Sequence, residues 1–146
     1  MRIINKTALS RFAIEEKYEA GIELLGSEVK AIRLGHMDIT SSYVKIISGQ
    51  AYLVNGKIFP YKFSRIEGYQ EDRTRRLLLH KKELLTLKNK LETGKYTLVP
   101  LSLYLKHGIF KVEVGLAKGK KDHEKDKDSK RRAIERARSR EEKNVF

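Results

Sequence analysis

Lys30 and Arg33 are the first residues in this sequence whose type and spacing suggest a chemical role. They are three positions apart, so on a helix they share one face, where two cations one turn apart can bind an anion such as a nucleic-acid phosphate. The surrounding pattern predicts that helix: Ser27 is a suitable N-cap, Glu28 suits the positive first turn, and Gly35 stands where a helix ends. Such a short helix is not stable alone in water, so we expect it to pack on a sheet. The pair could equally be an ordinary solvated surface, and the rest of the chain must decide between these interpretations.

The whole chain is strongly basic. Its 146 residues include 32 Lys and Arg against 19 Asp and Glu, for a formal net charge of +13. Residues 117–146 hold 12 basic and 7 acidic residues, which leaves 20 basic and 12 acidic residues in the remainder, so both parts are basic. This balance predicts a polyanionic partner, with nucleic acid favoured over an acidic membrane surface.

Targeting signals and cysteine chemistry do not feature in the sequence. No apolar run approaches the ~20 residues that span a bilayer, and the first residues do not form a signal peptide. The chain has no cysteine, which excludes a disulfide framework, a thiolate metal site and a cysteine nucleophile. We therefore expect a cytoplasmic protein with no membrane partner.

The sequence gives little support to catalysis. The adjacent pairs Glu15-Glu16 and Glu141-Glu142 would point apart on a strand or a helix, so neither forms an acid–base pair. We expect no cofactor and no metal, because the four histidines have no metal-ligand spacing; they are His36, His80, His107 and His123. A metal-dependent ribonuclease remains the enzymatic alternative, and a resident ribosomal structural protein is the structural one.

The first half of the chain reads mainly as strands. Residues 11–18 and 21–25 have strand-like patterns, and residues 43–47 and 50–54 are rich in β-branched and aromatic residues around the turn Ser48-Gly49. Asn55-Gly56 is a strong hairpin signal before a third short strand at residues 57–59, so we expect a meander.

The second half predicts one long loop, one clear helix and two strands. Residues 60–76 are interpreted as a loop, and residues 81–93 as a helix that follows His80 and ends at Gly94. Residues 97–105 and 109–117 alternate as strands, with Pro100 marking an edge or a bulge. The fold class is therefore mainly β with peripheral helices, an OB-like closed antiparallel barrel of about six strands.

From Lys118 the composition changes to a nearly continuous run of charges. Its apolar stripe, Ala133, Ile134 and Ala137, is too narrow to drive folding. We expect residues 1–117 to form the folded domain and residues 118–146 to be a basic tail that is disordered in isolation and helical on a polyanion.

Several collinear blocks resemble one family, the SsrA-binding proteins (small protein B). They are NKTA (residues 5–8), YEAGIELLGSEVKAIRLG (18–35), SSYVKI (41–46), RTRRLLLHKKEL (73–84), YTLVPLSLY (96–104) and KVEVGLAKGKK (111–121). The resemblance implies an OB-type barrel that binds the tRNA-like domain of transfer-messenger RNA. It further implies delivery of that RNA to stalled ribosomes for trans-translation, the rescue of ribosomes on messages without a usable stop codon. The body would replace the missing anticodon arm, and the tail would lie in the small-subunit decoding region and mRNA path. We expect a monomer.

The resemblance also assigns residues. Asn5, Glu19 and Leu78 match family positions associated with RNA binding, although Leu78 could be ordinary core. Predicted phosphate contacts, which are independent of sequence and sensitive to salt, are Lys30, Arg33, Arg73, Arg75, Arg76, Lys81 and Lys82. Lys6, Phe12 and His80 complete the predicted RNA surface. The predicted ribosome-binding cations of the tail are Lys118, Lys120, Lys121, His123, Lys125, Lys127, Lys130, Arg131, Arg132, Arg136, Arg138 and Arg140.

Glu19 is an unexpected residue in an RNA site. Its carboxylate could accept hydrogen bonds from a base edge or a 2′-hydroxyl, or it could hold a neighbouring Arg or Lys in place. We favour the second interpretation, because a carboxylate beside phosphates needs a cation between them.

The chain departs from the family pattern at two places. Ser10 and Phe12 occupy positions where a His and a Tyr are usual, so stacking by Phe12 remains available while contacts of the His are lost. Asp126 stands where an Arg is usual, which shifts a tail contact toward Lys127.

Overall fold

The computed structural model describes residues 2–60 and 67–120, together with Arg132 and Ile134. The protein is mainly β, as the sequence predicts, and residues 2–60 and 67–119 contain three helices, of which the first was not expected. In chain order the elements are β1 (Arg2–Ile4), α1 (Lys6–Arg11), β2 (Phe12–Ile22), α2 (Gly26–Arg33), β3 (Met37–Asp38), β4 (Tyr43–Ile47), β5 (Gln50–Val54), β6 (Lys57–Ile58), β7 (Arg75–Leu78), α3 (Lys81–Glu92), β8 (Thr97–Lys106) and β9 (Ile109–Gly119). No helix in this part of the chain is long and apolar enough to cross a membrane.

The main sheet has seven strands in the order β1-β8-β9-β2-β7-β5-β4, and β3 and β6 form a separate two-stranded sheet. The expected closed barrel is wrong for the described residues, because no hydrogen-bonded pair joins the edge strands β1 and β4. All three residues of β1 pair with β8, and the five residues of β4 pair with β5, so each edge strand is paired on one side only. β4 nevertheless lies beside β8 without pairing to it, so the sheet is strongly curved.

β2 and its surroundings are more regular than the sequence suggests. The two strand segments predicted at residues 11–18 and 21–25 are one strand, Phe12–Ile22, which pairs along most of its length with β9. Just before β2 the chain forms α1, which Asn5 caps.

The predicted meander is wrong beyond its first hairpin. β4 and β5 pair around Ser48-Gly49 as expected, and Asn55 adopts the positive φ of a tight turn. However, β6 pairs with β3 and not with β5. The second edge of β5 is occupied by β7, which brings residues from the predicted loop into the sheet.

The Pro100 bulge is confirmed, because the β8–β9 register shifts between Pro100 and Ser102. Proline has no backbone N–H for the ladder, so a bulge is where it is tolerated. The shift overturns the clean alternation expected in β8. Val99 and Leu101 pack in a small cluster with α1, whereas Leu103 belongs to the main core.

The main core lies between the curved sheet and the helices. α3 begins and ends as predicted to within one residue, and it packs with Leu87 fully buried and Leu84 and Leu91 half-buried against the core. The residues of β9 predicted to face inward are all buried, namely Phe110, Val112, Val114 and Leu116.

The predicted domain boundary after residue 117 falls inside β9, which continues to Gly119. Most of the predicted tail, residues 121–131, 133 and 135–146, lies outside the described residues, and so does the expected disorder of that tail. Arg132 and Ile134 are helical and exposed.

Candidate nucleic-acid interface

Glu28 lies at the centre of a buried ion network that joins α2 to β7. The residue is only 1 % exposed. Its Oε2 accepts hydrogen bonds from Arg75 Nε at 2.8 Å and Nη2 at 2.5 Å, and from the Tyr69 hydroxyl at 2.9 Å. Its Oε1 accepts from Arg73 Nη2 at 2.5 Å and from the Leu25 amide at 2.8 Å. This single carboxylate therefore accepts five hydrogen bonds from four residues, which lie in two distant segments of the chain.

The Leu25 contact also explains how α2 begins. The predicted N-cap, Ser27, is wrong: α2 starts at Gly26 after Leu25, and Glu28 rather than a serine satisfies the cap amide. Burial alone would raise the pKa of Glu28, but the hydrogen bonds from Arg73, Arg75 and the Leu25 amide outweigh it and lower the pKa. Glu28 is therefore ionised at neutral pH and able to hold both guanidinium groups.

Arg75 is fully buried, so its prediction as a phosphate contact is wrong. Its Nη1 donates to the carbonyl oxygens of Gly56 at 2.6 Å and Arg73 at 2.8 Å. Its Nη2 donates to the carbonyl oxygen of Glu71 at 3.0 Å in addition to Glu28. Because every terminal donor group of Arg75 is used inside the protein, this residue is part of the framework.

The neighbouring cations remain available to solvent. Lys30 and Arg33 project from the helix that carries Glu28, and both are exposed. The Arg73 side chain is 35 % exposed even though one of its nitrogens is bonded to Glu28. Arg76 points away from the buried network; its Nη2 donates to Gln50 Oε1 at 3.0 Å, and its Nη1 lies 3.7 Å from Glu23 Oε1. The ion network thus ties the cations of α2 to those that enter β7.

Further exposed cations lie at the N-terminus of α3. β7 ends at Leu78 and α3 begins at Lys81, so His80, Lys81 and Lys82 follow Arg76 within one short connection. All three of these side chains are exposed. Lys6, at the start of α1, is also exposed.

Glu19 lies on an exposed face of β2 and has two donors. It accepts a short hydrogen bond from the Tyr104 hydroxyl, and Lys106 Nζ lies 3.2 Å from its Oε1 and 3.3 Å from its Oε2. The hydrogen bonds from Tyr104 and then Lys106 lower the pKa of Glu19, while burial and the Glu19 contact raise the pKa of Tyr104 to about 12. This is the arrangement that the second interpretation of Glu19 requires, with Lys106 as the cation it holds.

Sequence reasoning did not find Tyr104, Lys106 or the adjacent Arg2, whose guanidinium lies 4.8 Å from the Tyr104 ring centre. β1 pairs Arg2 with Tyr104, and β9 bridges β8 to β2. The strand pattern of β8 placed Tyr104 and Lys106 on its outer face, but the register that brings Glu19 to them is not visible in any local pattern.

The structure buries Asn5 and exposes Leu78. Asn5 is buried, donates from Nδ2 to the carbonyl oxygens of Ile39 at 3.1 Å and Pro100 at 2.9 Å, and accepts from the Ala8 amide at 3.1 Å. Its polar atoms cap α1 and tie that helix to the sheet, so its predicted role in RNA binding, which stays a prediction, would be indirect. Leu78, in contrast, is 47 % exposed, so it is not ordinary core and remains accessible to a partner.

Phe12 and Lys118 are only partly accessible. Phe12 is half-buried against the small cluster under α1. Lys118 belongs to β9, its side chain is 12 % exposed, and its Nζ lies 3.6 Å from Glu15 Oε1 and 5.0 Å from the Tyr96 ring centre. Lys118 is therefore part of the folded body rather than of a separate tail, and its predicted role in ribosome binding stays a prediction. Lys120 and Arg132 are exposed, and the remaining predicted tail cations lie outside the described residues.

The part of the chain that the structure describes holds no group of three or more His, Asp or Glu side chains placed to bind a metal ion. The described site consists of exposed cations on α1, α2, β7 and α3 and of a buried ion network between α2 and β7. These features define the class: a small, basic, mainly β protein with exposed cations and a buried ion network.

The chain belongs to the SmpB family. The family model described as SmpB protein matches residues 2–144. An SsrA-binding protein of Dechloromonas aromatica is 49 % identical over 136 residues, which cover 89 % of this chain and 91 % of the relative. An SsrA-binding protein of Geotalea uraniireducens is 47 % identical over 132 residues, covering 90 % and 87 % respectively. The resemblance stated from the sequence blocks is confirmed.

A solved structure supports the same relationship. It is described as "tmRNA-SmpB: a journey to the center of the bacterial ribosome" and matches with a TM-score of 0.67 and 43 % identity. The match covers 81 % of this chain and 83 % of the solved chain.

Proposed function

We propose that this protein binds the tRNA-like domain of transfer-messenger RNA and delivers it to stalled ribosomes for trans-translation. The observation that carries the proposal is the family match across residues 2–144, because it covers both the basic body and most of the basic tail. Its relatives are named for binding SsrA RNA, and the matched structure is described by transfer-messenger RNA, SmpB and the bacterial ribosome. A protein with this role acts in the cytoplasm and by binding RNA rather than by catalysis.

The proposed phosphate contacts are the members of the predicted set that are exposed or, for Arg73, partly exposed. They are Lys6, Lys30, Arg33, Arg73, Arg76, His80, Lys81 and Lys82. Their exposure supports the role, since phosphate neutralisation needs cations that solvent can reach. Leu78, and Phe12 with its half-buried ring, are proposed to contact the sugar and base surface.

Glu19 is proposed to act by holding Lys106. The carboxylate between a tyrosine hydroxyl and an ammonium group is neutralised locally, and this supports its presence at an RNA surface. Lys106 then meets the RNA as a cation of fixed position.

The curved sheet is proposed to serve as an OB-type surface for the RNA, in a monomeric protein. The exposed tail cation Lys120 and those that follow it are proposed to meet rRNA in the decoding region and the empty mRNA path.

The test is a binding titration with the purified full chain at several salt concentrations. The RNA ligands are a tRNA-like domain and a duplex RNA of equal length. We expect tighter binding of the tRNA-like RNA, and we expect Lys30→Ala/Arg33→Ala to reduce the slope of log affinity against log salt by about 0.9 per lost phosphate contact. Lys95→Ala, at an exposed position after α3, is the matched control and should leave the slope nearly unchanged. Equal affinity for both RNAs at ordinary salt would refute the proposal.

The two alternatives predict different behaviour. A resident ribosomal protein would remain on ribosomes in stoichiometric amount after a high-salt wash, whereas a rescue factor is substoichiometric and released by salt. A metal-dependent ribonuclease would cleave RNA when magnesium is added.

A further inference from the structure

We infer that Glu28 is a positioning residue for RNA binding: it fixes the guanidinium group of Arg73 so that its free edge meets an RNA phosphodiester. The inference rests on the proposed RNA-binding function and deepens it. It concerns a fully buried carboxylate that does not itself reach RNA.

The first support is that the two arginines bonded to Glu28 differ in their exposure to solvent. Arg75 occupies Oε2 through two nitrogens and is completely buried. Arg73 occupies Oε1 through Nη2 alone at 2.5 Å, and its side chain is 35 % exposed. One carboxylate therefore holds one arginine inside the fold and a second arginine at the surface.

The second support is the state of the remaining Arg73 donors. Guanidinium carries five N–H groups in a rigid fork. Among residues 2–60 and 67–120, Arg73 Nη1 has no hydrogen-bond partner, and Arg73 Nε is buried without one. The bond from Nη2 to Glu28 restricts the rotation of the guanidinium group and leaves Nη1 without an acceptor among these residues. A phosphate oxygen is an acceptor that suits a guanidinium group held in this way on a partly exposed side chain.

The third support is charge. Glu28 contributes one negative charge against the two positive charges of Arg73 and Arg75, so the network keeps a net positive charge next to the surface. An isolated surface arginine would lose side-chain entropy when it bound a phosphate. Arg73 has already lost much of that freedom, because Glu28 and the chain around it hold it in place.

The experiment is a double-mutant cycle on the affinity of the full chain for the tRNA-like RNA. We expect Arg73→Ala to weaken binding by about tenfold, the loss of one charge-assisted contact. Glu28→Gln should weaken it by a similar factor in the wild-type background and cause little further loss in the Arg73→Ala background. Arg76→Ala supplies the matched control background, because Arg76 is bonded to Gln50 and Glu23 rather than to Glu28, and there Glu28→Gln should keep its full effect.

The inference would be overturned if Glu28→Gln reduced the RNA affinity by the same factor in the Arg73→Ala background as in the wild type. It would also be overturned if Glu28→Gln alone kept the wild-type affinity. Because Glu28 is buried, its replacement can destabilise the fold. The RNA affinity of Glu28→Gln is therefore measured below the unfolding temperature of that variant, which is determined by circular dichroism. Arg73→Lys provides an independent test that leaves Glu28 in place. It keeps the positive charge but loses the fork, so we expect an unchanged salt slope with weaker binding; wild-type affinity would show that charge alone suffices and would overturn the inference.

Failure of the proposed function itself is seen separately, in the wild-type protein. If the unaltered chain binds duplex RNA as tightly as the tRNA-like RNA, the function fails. If the wild type discriminates but the cycle shows no coupling, only the positioning role fails.

Discussion

Arg75→Met should be among the most destabilising single changes that leave this fold recognisable. Methionine keeps most of the volume of the arginine stem but removes the buried charge and its donors. Glu28 loses two hydrogen bonds, at 2.8 and 2.5 Å, and the carbonyl oxygens of Gly56 and Glu71 lose theirs. Removing one partner of a buried ion pair costs about 3–5 kcal/mol. We expect the lower part of this range, because Arg73 and Tyr69 still hold the carboxylate.

The assay is urea denaturation at neutral pH, with the free energy of unfolding obtained by linear extrapolation. The free energy of unfolding of a small domain is about 5–15 kcal/mol, so a loss of this size removes a large part of its stability. Arg76→Met is the matched control: it is the next residue, its side chain is half-exposed, and its ion pair with Glu23 spans 3.7 Å, so its loss should stay within about 1 kcal/mol. Equal losses for the two variants would refute the claim that Arg75 is a framework residue.

A second comparison tests the reason for that loss. In Glu28→Leu/Arg75→Met both members of the buried pair are replaced by apolar side chains, and such a replacement is often close to neutral relative to the broken pair. We therefore expect the double variant to be no less stable than Arg75→Met alone. If the free energy of unfolding of the double variant were several kcal/mol below that of Arg75→Met, the hydrogen bonds from Arg73, Tyr69 and Leu25 to Glu28 would contribute more stability than the charge pair.

Three further predictions follow from other contacts. Gly115→Ala should destabilise the fold by about 1–3 kcal/mol in the same urea assay, because its Cβ would lie 2.9 Å from Leu101 Cδ1 in a packed cluster; Gly26→Ala, with no atom within 4 Å, is the control and should change stability by less than about 0.5 kcal/mol. The pKa of Glu28 is lower in the folded protein than in the unfolded chain, so its contribution is complete above the unfolded value of about 4.3 and is lost as pH falls through and below it. Thermal unfolding between pH 6 and about 3 should therefore show a shallower acid-side fall in Tm for Glu28→Gln than for the wild type, and parallel curves would contradict this. Glu19→Arg should weaken binding to the tRNA-like RNA although it adds positive charge, because it releases Lys106 and Tyr104; tighter binding in the salt titration would refute the holding role.

The parts of the fold that the sequence predicted correctly are those with local causes. α3 follows from leucines at helical spacing and from a glycine after its end, and the inward face of β9 follows from simple alternation. The wrong expectations concern pairing over long sequence distances. Nothing near Asn55-Gly56 shows that β7 occupies the free edge of β5, so the meander was the natural but incorrect interpretation.

The same distinction holds for the candidate site. The type and spacing of Lys30 and Arg33 were enough to predict two exposed cations on one helix face. Arg73, Arg75 and Arg76 look equivalent in the sequence, but strand alternation and a partner 47 residues away bury Arg75 and leave Arg76 outside. Asn5 was assigned to RNA binding from the resemblance, and no local pattern shows its burial, because its three partners are backbone groups that only the tertiary fold brings together.

Acidic residues have a definite use in so basic a protein. The slope of log affinity against log salt reports how many phosphates are neutralised, but it does not depend on the orientation of the cations. Discrimination of a folded RNA from a duplex therefore requires cations whose positions are fixed before binding. Glu28 fixes Arg73 from inside the fold, and Glu19 fixes Lys106 on the sheet surface. Variants of either carboxylate should therefore lose preference for the tRNA-like RNA over duplex RNA more than they lose general affinity, whereas Lys30→Ala/Arg33→Ala should reduce both affinities together.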